Sequence, residues 1–481
     1  MSLSVLTLAL SFSSLSTAQD VVPAEPLVID EAEALAMDAK QYSESYGIPF
    51  DESLRRLTIM LYGSPEIAAT ANTEGQDLAG TYFDNSSDFG LVVNSKNPKE
   101  SRLLNVVPKT KVNYGQLNSA AKRLRNEARK ALRVKLSLNN SQITKAEDAL
   151  SKSHQLKVKF QKSEVTLDEL KNALIALSEK GSEIEGFNTA FVNERNSTVN
   201  IILDREISVA AQNKLRTISK VPVSFEVIPN GMQLVANMKG GSNLYVSPNA
   251  DSTSPRDCMS AFGAKHNTAK TASGVPVTGL ITAAHCSSNL FVLGNDLKNY
   301  PLSIGSQKID PLKYDLRFAY NVNDNPIGVG EFYYDSSFSV RKVTATRARL
   351  ETRVAEGTTT GAFVCHVGQT YARSPTNVQS CGEVISLNGY MRNDNALQGS
   401  GGYHVVMRNT QSGGGTTHTS GTGTLRCYPG DSGGPVFAGT IAFGVMTACT
   451  WVDGNPSKPT TYAMYSSTDY FKDIGVSIIV P

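Results

Sequence analysis

The sequence predicts an all-β carboxy-terminal half that follows a mixed α+β amino-terminal region. Up to about residue 236, several segments repeat apolar residues at helical spacing, whereas after residue 237 short strand-like runs alternate with Gly, Ser, Thr, Asn and Pro. A chain of 481 residues also exceeds what one hydrophobic core usually serves. We therefore expect at least two domains, with a boundary near residue 237 and a barrel or sandwich after it.

The first residues have the pattern of an export signal. An apolar stretch from Val5 to Leu10 is followed by serines and by small residues ending at Ala18, a composition typical of signal peptides. Residues 1–18 are therefore predicted to be a signal peptide and the protein to be secreted; a frayed terminus is the alternative, since no Lys or Arg precedes the apolar run. No later stretch reaches the roughly 18 apolar residues of a membrane span, so no membrane anchor is expected.

Residues 19–236 are predicted to form an α+β region. Thr166 and Glu169 form a capping-box pattern before a stripe of leucines, and Gly181 is suited to end that helix. The elements expected after it are a strand at 199–203, a helix at 208–218 and a strand at 222–228. The predicted order is therefore α-β-α-β.

Charge gives little reason to expect a nucleic-acid partner. The formal net charge is +2, and charged residues make up 19% of the chain. A helix predicted from Leu117 to about Arg133 is basic, but no interleaved aromatic residues or binding motif accompany its charges. We interpret this helix as having a solvated face.

The segment from Gly430 to Pro435 reads Gly-Asp-Ser-Gly-Gly-Pro and is the most informative part of the chain. Its glycines leave the hydroxyl of Ser432 and the neighbouring backbone N–H groups open to another molecule. Ser432 is the candidate nucleophile, and the N–H groups of Gly430 and Ser432 are the candidate oxyanion hole. Taken alone, the segment is equally compatible with a plain turn.

A serine hydroxyl is a weak nucleophile that needs a base within reach and a third group to orient the base. His285 follows the apolar run that ends in Thr-Ala-Ala, and Asp315 lies in an alternating apolar and aromatic segment. Each has an ordinary alternative, a satisfied core histidine and an aspartate that caps a turn or pairs with Arg317. Asp310 is a second candidate for the acid, but Pro311 beside it favours a turn.

All six cysteines follow residue 257, and an even number in an exported chain favours disulfides. They are Cys258, Cys286, Cys365, Cys381, Cys427 and Cys449. Six cysteines allow 15 pairings, which the sequence alone does not resolve. A zinc site is the alternative, but the sequence has no Cys-x-x-Cys or paired-histidine spacing, so no metal is expected.

The order His285, Asp315, Ser432 is the chymotrypsin-type order among serine hydrolases. With these motifs, the chain resembles chymotrypsin-fold serine proteases of the streptogrisin and α-lytic type, which carry a long pro-region. The resemblance implies a double six-stranded barrel over residues 237–481, with His285 as general base and acid, Asp315 as its orienter and Ser432 as nucleophile. The pairing that it implies is sequential: Cys258–Cys286, Cys365–Cys381 and Cys427–Cys449.

The same resemblance implies that residues 19–236 are a pro-region that templates folding and occupies the cleft until it is cut away. Folding a double barrel is slow because its contacts are far apart in sequence. We expect the cut shortly before Gly240, around Asn237 to Lys239. The pro-region and polypeptide substrates are the expected partners, and no cofactor is required.

Substrate preference follows from the segments before Cys427 and around Met446 to Cys449. Leu425 stands where a trypsin-like enzyme carries an aspartate, so an apolar or aromatic residue is expected on the acyl side of the cut. Arg426 leaves acidic residues open as the alternative. A catalytically silent binding module and an esterase are the rival functions, because a fold does not fix a function.

Overall fold

A computed structural model describes residues 28–480 with internal gaps. The residues outside it within that span are 111, 129, 131–137, 230–232, 235–241, 246–257, 272–273, 294–298, 311–313, 322–330, 334–339, 347, 350–356, 359–360, 369–379, 392–403, 409–424, 452–453 and 456–459. The predicted signal peptide and the predicted junction at 237–239 therefore lie outside the described residues.

The carboxy-terminal half begins with an eight-stranded sheet whose central pairings are antiparallel. Its strands, in spatial order, are Cys258–Ser260, Ser242–Tyr245, Leu290–Leu293, Asn299–Asp310, Tyr314–Tyr320, Pro276–Thr282, Gly263–Lys270 and Val476–Ile478. The last strand comes from the end of the chain, after a 3₁₀ helix at Thr468–Ile474. The last described strand therefore completes this sheet.

The second sheet of this half closes on itself as a six-stranded barrel, because its first and sixth strands also pair with each other. The strands, in spatial order, are Phe363–His366, Pro435–Ala438, Ile441–Trp451, Thr460–Ser467, His404–Arg408 and Ser380–Met391. Short strands at Glu331–Tyr333, Val340–Lys342, Ala345–Thr346, Ala348–Arg349 and Gly357–Thr358 lie between the two sheets in sequence. The predicted fold class, an all-β double barrel preceded by an α+β region, is confirmed.

The amino-terminal region combines helices with a four-stranded sheet and a separate group of strands. The described α-helices are Glu31–Tyr46, Phe50–Tyr62, Ser64–Asn72, Ser119–Ala128, Asn140–Ser151, Leu167–Lys180 and Val209–Ser219. Short 3₁₀ helices occur at Gly75–Asp77, Tyr114–Gln116 and Gly181–Glu183. The strands are Val28–Ile29, Leu78–Asp84, Gly90–Ser95, Arg102–Val106, His154–Lys162, Phe187–Asn193, Thr198–Leu203, Val223–Val227 and Gln233–Leu234.

The capping box predicted at Thr166 is present: its side chain accepts from the Glu169 N–H, and the Glu169 carboxylate accepts from the Thr166 N–H. The helix ends at Lys180, before Gly181, as predicted. The order α-β-α-β is wrong in one respect, because an additional strand, Phe187–Asn193, precedes Thr198–Leu203.

That additional strand joins the two halves of the molecule. Phe187–Asn193 pairs antiparallel with Ser380–Met391, with Phe191 opposite Gly389, so the amino-terminal strands extend the closed barrel's sheet. The main hydrophobic core also contains residues of both halves. Tyr42 meets Phe363 edge to face, with ring centroids 5.0 Å apart.

All three disulfides pair as the resemblance implies: Cys258–Cys286, Cys365–Cys381 and Cys427–Cys449. Within the part of the chain that the structure describes, no helix is both long and apolar enough to cross a membrane.

Candidate active site

The three candidate catalytic residues come from two different sheets. His285 follows the strand Pro276–Thr282, and Asp315 is the second residue of the neighbouring strand Tyr314–Tyr320. Ser432 lies in the turn that precedes the strand Pro435–Ala438 of the closed barrel. The sequence separates these residues widely, and the packing of the two sheets brings them together.

Their side chains form one hydrogen-bonded row. His285 Nε2 lies 2.8 Å from Ser432 Oγ, and the other ring nitrogen, Nδ1, bonds to Asp315 Oδ2. Asp315 Oδ1 also accepts from the backbone N–H of His285 at 2.9 Å. A carboxylate only accepts, so it holds the histidine with Nδ1–H as donor and leaves Nε2 to accept the serine proton.

The acid is almost fully buried, with Asp315 3% exposed. Its backbone N–H donates to Ser466 Oγ at 3.1 Å, and Ser466 Oγ lies 3.2 Å from Thr447 Oγ1. The rival acid, Asp310, is the last residue of the preceding strand, where it pairs with Tyr314 in the ladder. Asp315 is therefore the aspartate that the fold places against the histidine.

Arg317 fixes the turn that carries the histidine. Its guanidinium donates to the carbonyl of Ala284 at 2.6 Å and to that of Ser287 at 2.5 Å. The Cys258–Cys286 disulfide anchors the same turn on the other side. We interpret this arrangement as preorganisation of the imidazole, because the residues on both sides of His285 are held by contacts other than its own.

The serine lies in a glycine turn that other residues could not form. Gly430 and Gly433 have φ angles of +106° and +84°, in the region that favours glycine. A Cβ on Gly433 would also lie 2.1 Å from the Met259 carbonyl oxygen. The carboxylate of Asp431 accepts from the Tyr428 N–H at 2.9 Å, and this hydrogen bond stabilises the turn.

The backbone N–H groups of Gly430 and Ser432 are the candidate oxyanion hole. Among the described residues, no acceptor bonds to the backbone N–H of Gly430 or Ser432. Ser432 Oγ is also 3.2 Å from the carbonyl oxygen of Thr447. Two unused N–H groups beside a nucleophilic oxygen can stabilise the negative charge that develops on a carbonyl under attack.

Leu425 and Arg426, the two residues before Cys427, are held by burial and by hydrogen bonds. Leu425 is fully buried, and the Arg426 carbonyl accepts from Ser380 Oγ at 2.8 Å and from His366 Nε2–H at 2.7 Å. Burial lowers the pKa of His366 to about 4, so its ring is neutral in ordinary solution.

The described residues bring one group of three metal-capable side chains within 4.8 Å of one another, Cys258, His285 and Cys286. Its two sulfurs are joined in a disulfide. A disulfide sulfur is not a thiolate ligand, so this group is better explained as a brace beside the histidine than as a metal centre.

Sequence reasoning did not identify Arg317 and Ser466 as supporting residues of the site, and it assigned the segment that contains Thr447 only to the substrate pocket. Ser466 is 34 positions beyond Ser432 and belongs to a strand with no motif of its own. Its contact with Asp315 depends on how the strand Thr460–Ser467 crosses the edge of the other sheet. No local pattern could have marked it.

Solved structures that the chain is similar to include three bacterial proteases. Nocardiopsis protease is 18% identical with a TM-score of 0.33, and the match covers 50% of this chain and 98% of that one. Cellulomonas bogoriensis chymotrypsin is 17% identical with a TM-score of 0.32, and the match covers 50% of this chain and 98% of that one. Thermobifida fusca protease A is 17% identical with a TM-score of 0.33, and the match covers 51% of this chain and 99% of that one. No protein-family model and no curated protein matches the chain. At such low identity and TM-score, these similarities do not establish the function of the chain.

Proposed function

We propose that this chain is a secreted serine endopeptidase made as a pro-enzyme, which hydrolyses peptide bonds through Ser432, His285 and Asp315. One observation carries the proposal. A single imidazole bonds through Nε2 to the Ser432 hydroxyl and through Nδ1 to a buried carboxylate, the relation that turns a serine alcohol into a nucleophile.

In the proposed reaction, Ser432 Oγ attacks the carbonyl carbon of the substrate while His285 Nε2 takes its proton. The N–H groups of Gly430 and Ser432 stabilise the oxyanion. His285 then gives the proton to the leaving amine, the C–N bond breaks, and an acyl-enzyme remains on Ser432. Water, deprotonated by the same imidazole, hydrolyses that ester and frees the serine.

The pro-enzyme part of the proposal is supported by polar contacts between the two halves. Asp38 in the first helix lies against Arg341 in the barrel half, and both side chains are essentially fully buried. Glu226 Oε2 accepts from the Tyr462 hydroxyl at 2.7 Å, and Arg195 pairs with Glu383 at 2.7 Å. Together with the shared sheet, these contacts fit a region that templates barrel folding and is removed afterwards.

Secretion and substrate preference complete the proposal. Three disulfides favour an oxidising location such as the cell exterior. The buried Leu425 favours an apolar or aromatic residue on the acyl side of the cut bond. Polypeptides are the proposed substrates.

A fluorophosphonate probe tests the reaction centre, because it forms a stable adduct only with an activated serine. The adduct is expected on the wild-type protein, mapped to Ser432 by mass spectrometry, and absent from Ser432→Ala. Digestion of casein then separates a protease from an esterase. A folded, processed protein that takes no label would favour the rival function, a silent binding module.

The burial of one carboxyl group, that of Glu194, predicts how the stability of the uncut chain depends on pH. Glu194 is 2% exposed, and it borders a pocket of about 240 Å³ that Leu387 and Asn388 of the barrel also line. Its Oε2 accepts from the Thr81 N–H at 2.9 Å, while Oε1 has no hydrogen-bond partner among the described residues. Burial raises the pKa of Glu194 from 4.5 to about 7.

Because the folded chain binds this proton more tightly than the unfolded chain, the contribution of Glu194 to stability is present in full below pH 4.5 and is lost as the pH rises through about 7. A shift of this size corresponds to about 3 kcal/mol. Glu194→Gln, made in the uncleavable Ser432→Ala chain, is expected to remove that loss between pH 5 and 8 in urea unfolding. The exposed Glu164→Gln is the control, and equal pH slopes in both variants would contradict the prediction.

A further inference from the structure

The turn that carries Ser432 is fixed at its carboxy-terminal end by the backbone of the barrel. The Gly433 N–H donates to the Met446 carbonyl at 2.8 Å, and the Met446 N–H donates to the Gly434 carbonyl at 2.9 Å. The next residues form the strand Pro435–Ala438 of the closed barrel. The position where the chain leaves the turn is therefore set by a sheet.

The chain that enters the same turn is held in a different way. Residues 425–428 belong to no strand or helix, so no ladder supplies partners for their backbone groups. Four side chains supply partners instead, each from a different strand of the closed barrel. These side chains, which we call the collar, are His366, Ser380, Trp451 and Thr460.

The four residues of the collar are end residues of their strands. His366 is paired with Ser380 in one ladder, and Trp451 is paired with Thr460 in another. Each of the four is at most 1% exposed. Because they bond to adjacent residues of the chain, the collar lies at one end of the barrel, around the entrance to the turn.

Half of the collar holds Cys427. The Cys427 N–H donates to Thr460 Oγ1 at 2.7 Å, and the Cys427 carbonyl accepts from Trp451 Nε1–H at 2.6 Å. The disulfide with Cys449 fixes its side chain. Both backbone groups of this residue are thus bonded to side chains.

The other half of the collar holds Arg426. Its N–H donates to Ser380 Oγ at 2.5 Å, and its carbonyl accepts from Ser380 Oγ–H at 2.8 Å and from His366 Nε2–H at 2.7 Å. A carbonyl oxygen has two lone pairs, so two donors engage both of them and fix the direction of the C=O bond.

His366 is not explained by stability alone. Ser380 by itself would give the Arg426 carbonyl a partner. Burial lowers the pKa of His366 from 6.5 to about 4, so the folded chain binds this proton less tightly than the unfolded chain and loses stability as the pH falls through that range. An apolar side chain would avoid this loss, which points to the donated hydrogen bond as the contribution of the residue.

The turn beyond Cys427 is closed on itself and moves as a unit. The Tyr428 N–H donates to the Asp431 carboxylate at 2.9 Å, and the Asp431 N–H donates to the Tyr428 carbonyl at 3.0 Å. Pro429, between them, has a fixed φ angle. A tilt of the chain at Cys427 would therefore displace the Gly430 N–H.

We propose that His366 is a positioning residue for catalysis, which holds the Arg426 carbonyl and thereby sets the position of the Gly430 N–H. This inference rests on the proposed function. Negative charge develops on the substrate oxygen only in the transition state, so a displaced donor weakens binding of the transition state more than binding of the substrate.

Two variants of His366 test the donated hydrogen bond. His366→Met keeps the length of the side chain without an N–H donor, and it is expected to lower kcat about 10- to 100-fold with KM within about threefold of wild type. His366→Gln places an amide NH₂ near the position of Nε2–H and is expected to restore kcat to within about threefold of wild type. Rates are divided by the concentration of sites that take the fluorophosphonate label, so unfolded molecules are not counted.

A peptide aldehyde distinguishes a positioning role from a general packing defect. Its adduct with Ser432 carries an oxygen at the position of the oxyanion, so its binding reports the oxyanion hole directly. In His366→Met, its inhibition constant is expected to rise by about the factor by which kcat/KM falls. His266→Met is the control in the other sheet, where the ring accepts from the Ala269 N–H at 2.9 Å, and it should leave both quantities unchanged.

The outcomes separate this inference from the proposed function. Wild-type kcat and aldehyde affinity in His366→Met, or equal losses in His366→Met and His366→Gln, would overturn the inference while a labelled wild-type protein keeps the proposed function. If His366→Met yields no labelled sites, Ser380→Ala removes the other donor to the same carbonyl and has to lower kcat and aldehyde affinity together; unchanged values overturn the inference. A wild-type protein that takes no label overturns both.

Discussion

Asp315→Asn is expected to lower kcat for peptide hydrolysis by about 10⁴-fold without unfolding the protein. The carboxylate accepts at both oxygens, from His285 Nδ1–H and from the His285 backbone N–H. An amide presents an NH₂ group on one side, which can only donate. The imidazole would then hold its proton on Nε2, the nitrogen that must accept the proton of Ser432.

The rival acid supplies the matched control. Asp310→Asn makes the same chemical change in the adjoining strand and is expected to leave kcat within about twofold of wild type. Both variants should keep the wild-type circular dichroism spectrum and thermal midpoint. A large loss in Asp310→Asn together with an active Asp315→Asn would exchange the two roles and contradict the proposed triad.

Asp38→Ala is expected to destabilise the uncut chain by about 3–5 kcal/mol, because it leaves a buried guanidinium without its charge partner. Asp38 Oδ1 accepts from both terminal nitrogens of Arg341 at 3.1 Å, and its Oδ2 accepts from the Gly439 N–H at 2.5 Å. Arg341 is fully buried, so water cannot replace the lost carboxylate. This contact joins the first helix to the barrel half.

Urea unfolding in the Ser432→Ala background measures this effect, since that chain cannot cut itself. Asp51→Ala is the matched control on the neighbouring helix, where the Asp51 side chain is 65% exposed and pairs with Lys145 at 2.8 Å. Exposed pairs contribute about 0–1 kcal/mol. Similar losses in both variants would mean that the Asp38 contact is not a principal link between the two halves.

The candidate catalytic residues could be predicted from the sequence because each lies in a distinctive local sequence pattern. A serine among glycines, a histidine after an apolar run and an aspartate in an alternating strand carry local patterns, and their chain order limits the possible arrangements. The capping box at Thr166 was readable for the same reason, because both partners lie within one helical turn.

The strand Phe187–Asn193 was missed, although its residues alternate in a way compatible with a strand. Its role is also non-local: it completes a sheet with Ser380–Met391, a segment almost 200 positions away. The ion pair of Asp38 with Arg341 spans an even greater separation, 303 positions. In neither pairing does the sequence around one partner indicate where the other partner lies.

The sequence by itself determined the chemistry that the chain can attempt, because a nucleophile, a base and an acid are properties of residue types in short motifs. It also determined the fold class, through the change of apolar periodicity near residue 237. Only the tertiary structure decided that Asp315 faces His285, that Ser466 and Arg317 support the pair, and that Gln233–Leu234 pairs with the strand Ile441–Trp451. Those facts depend on strand register and on how two sheets pack, which are set by the sum of many long-range contacts rather than by any single segment.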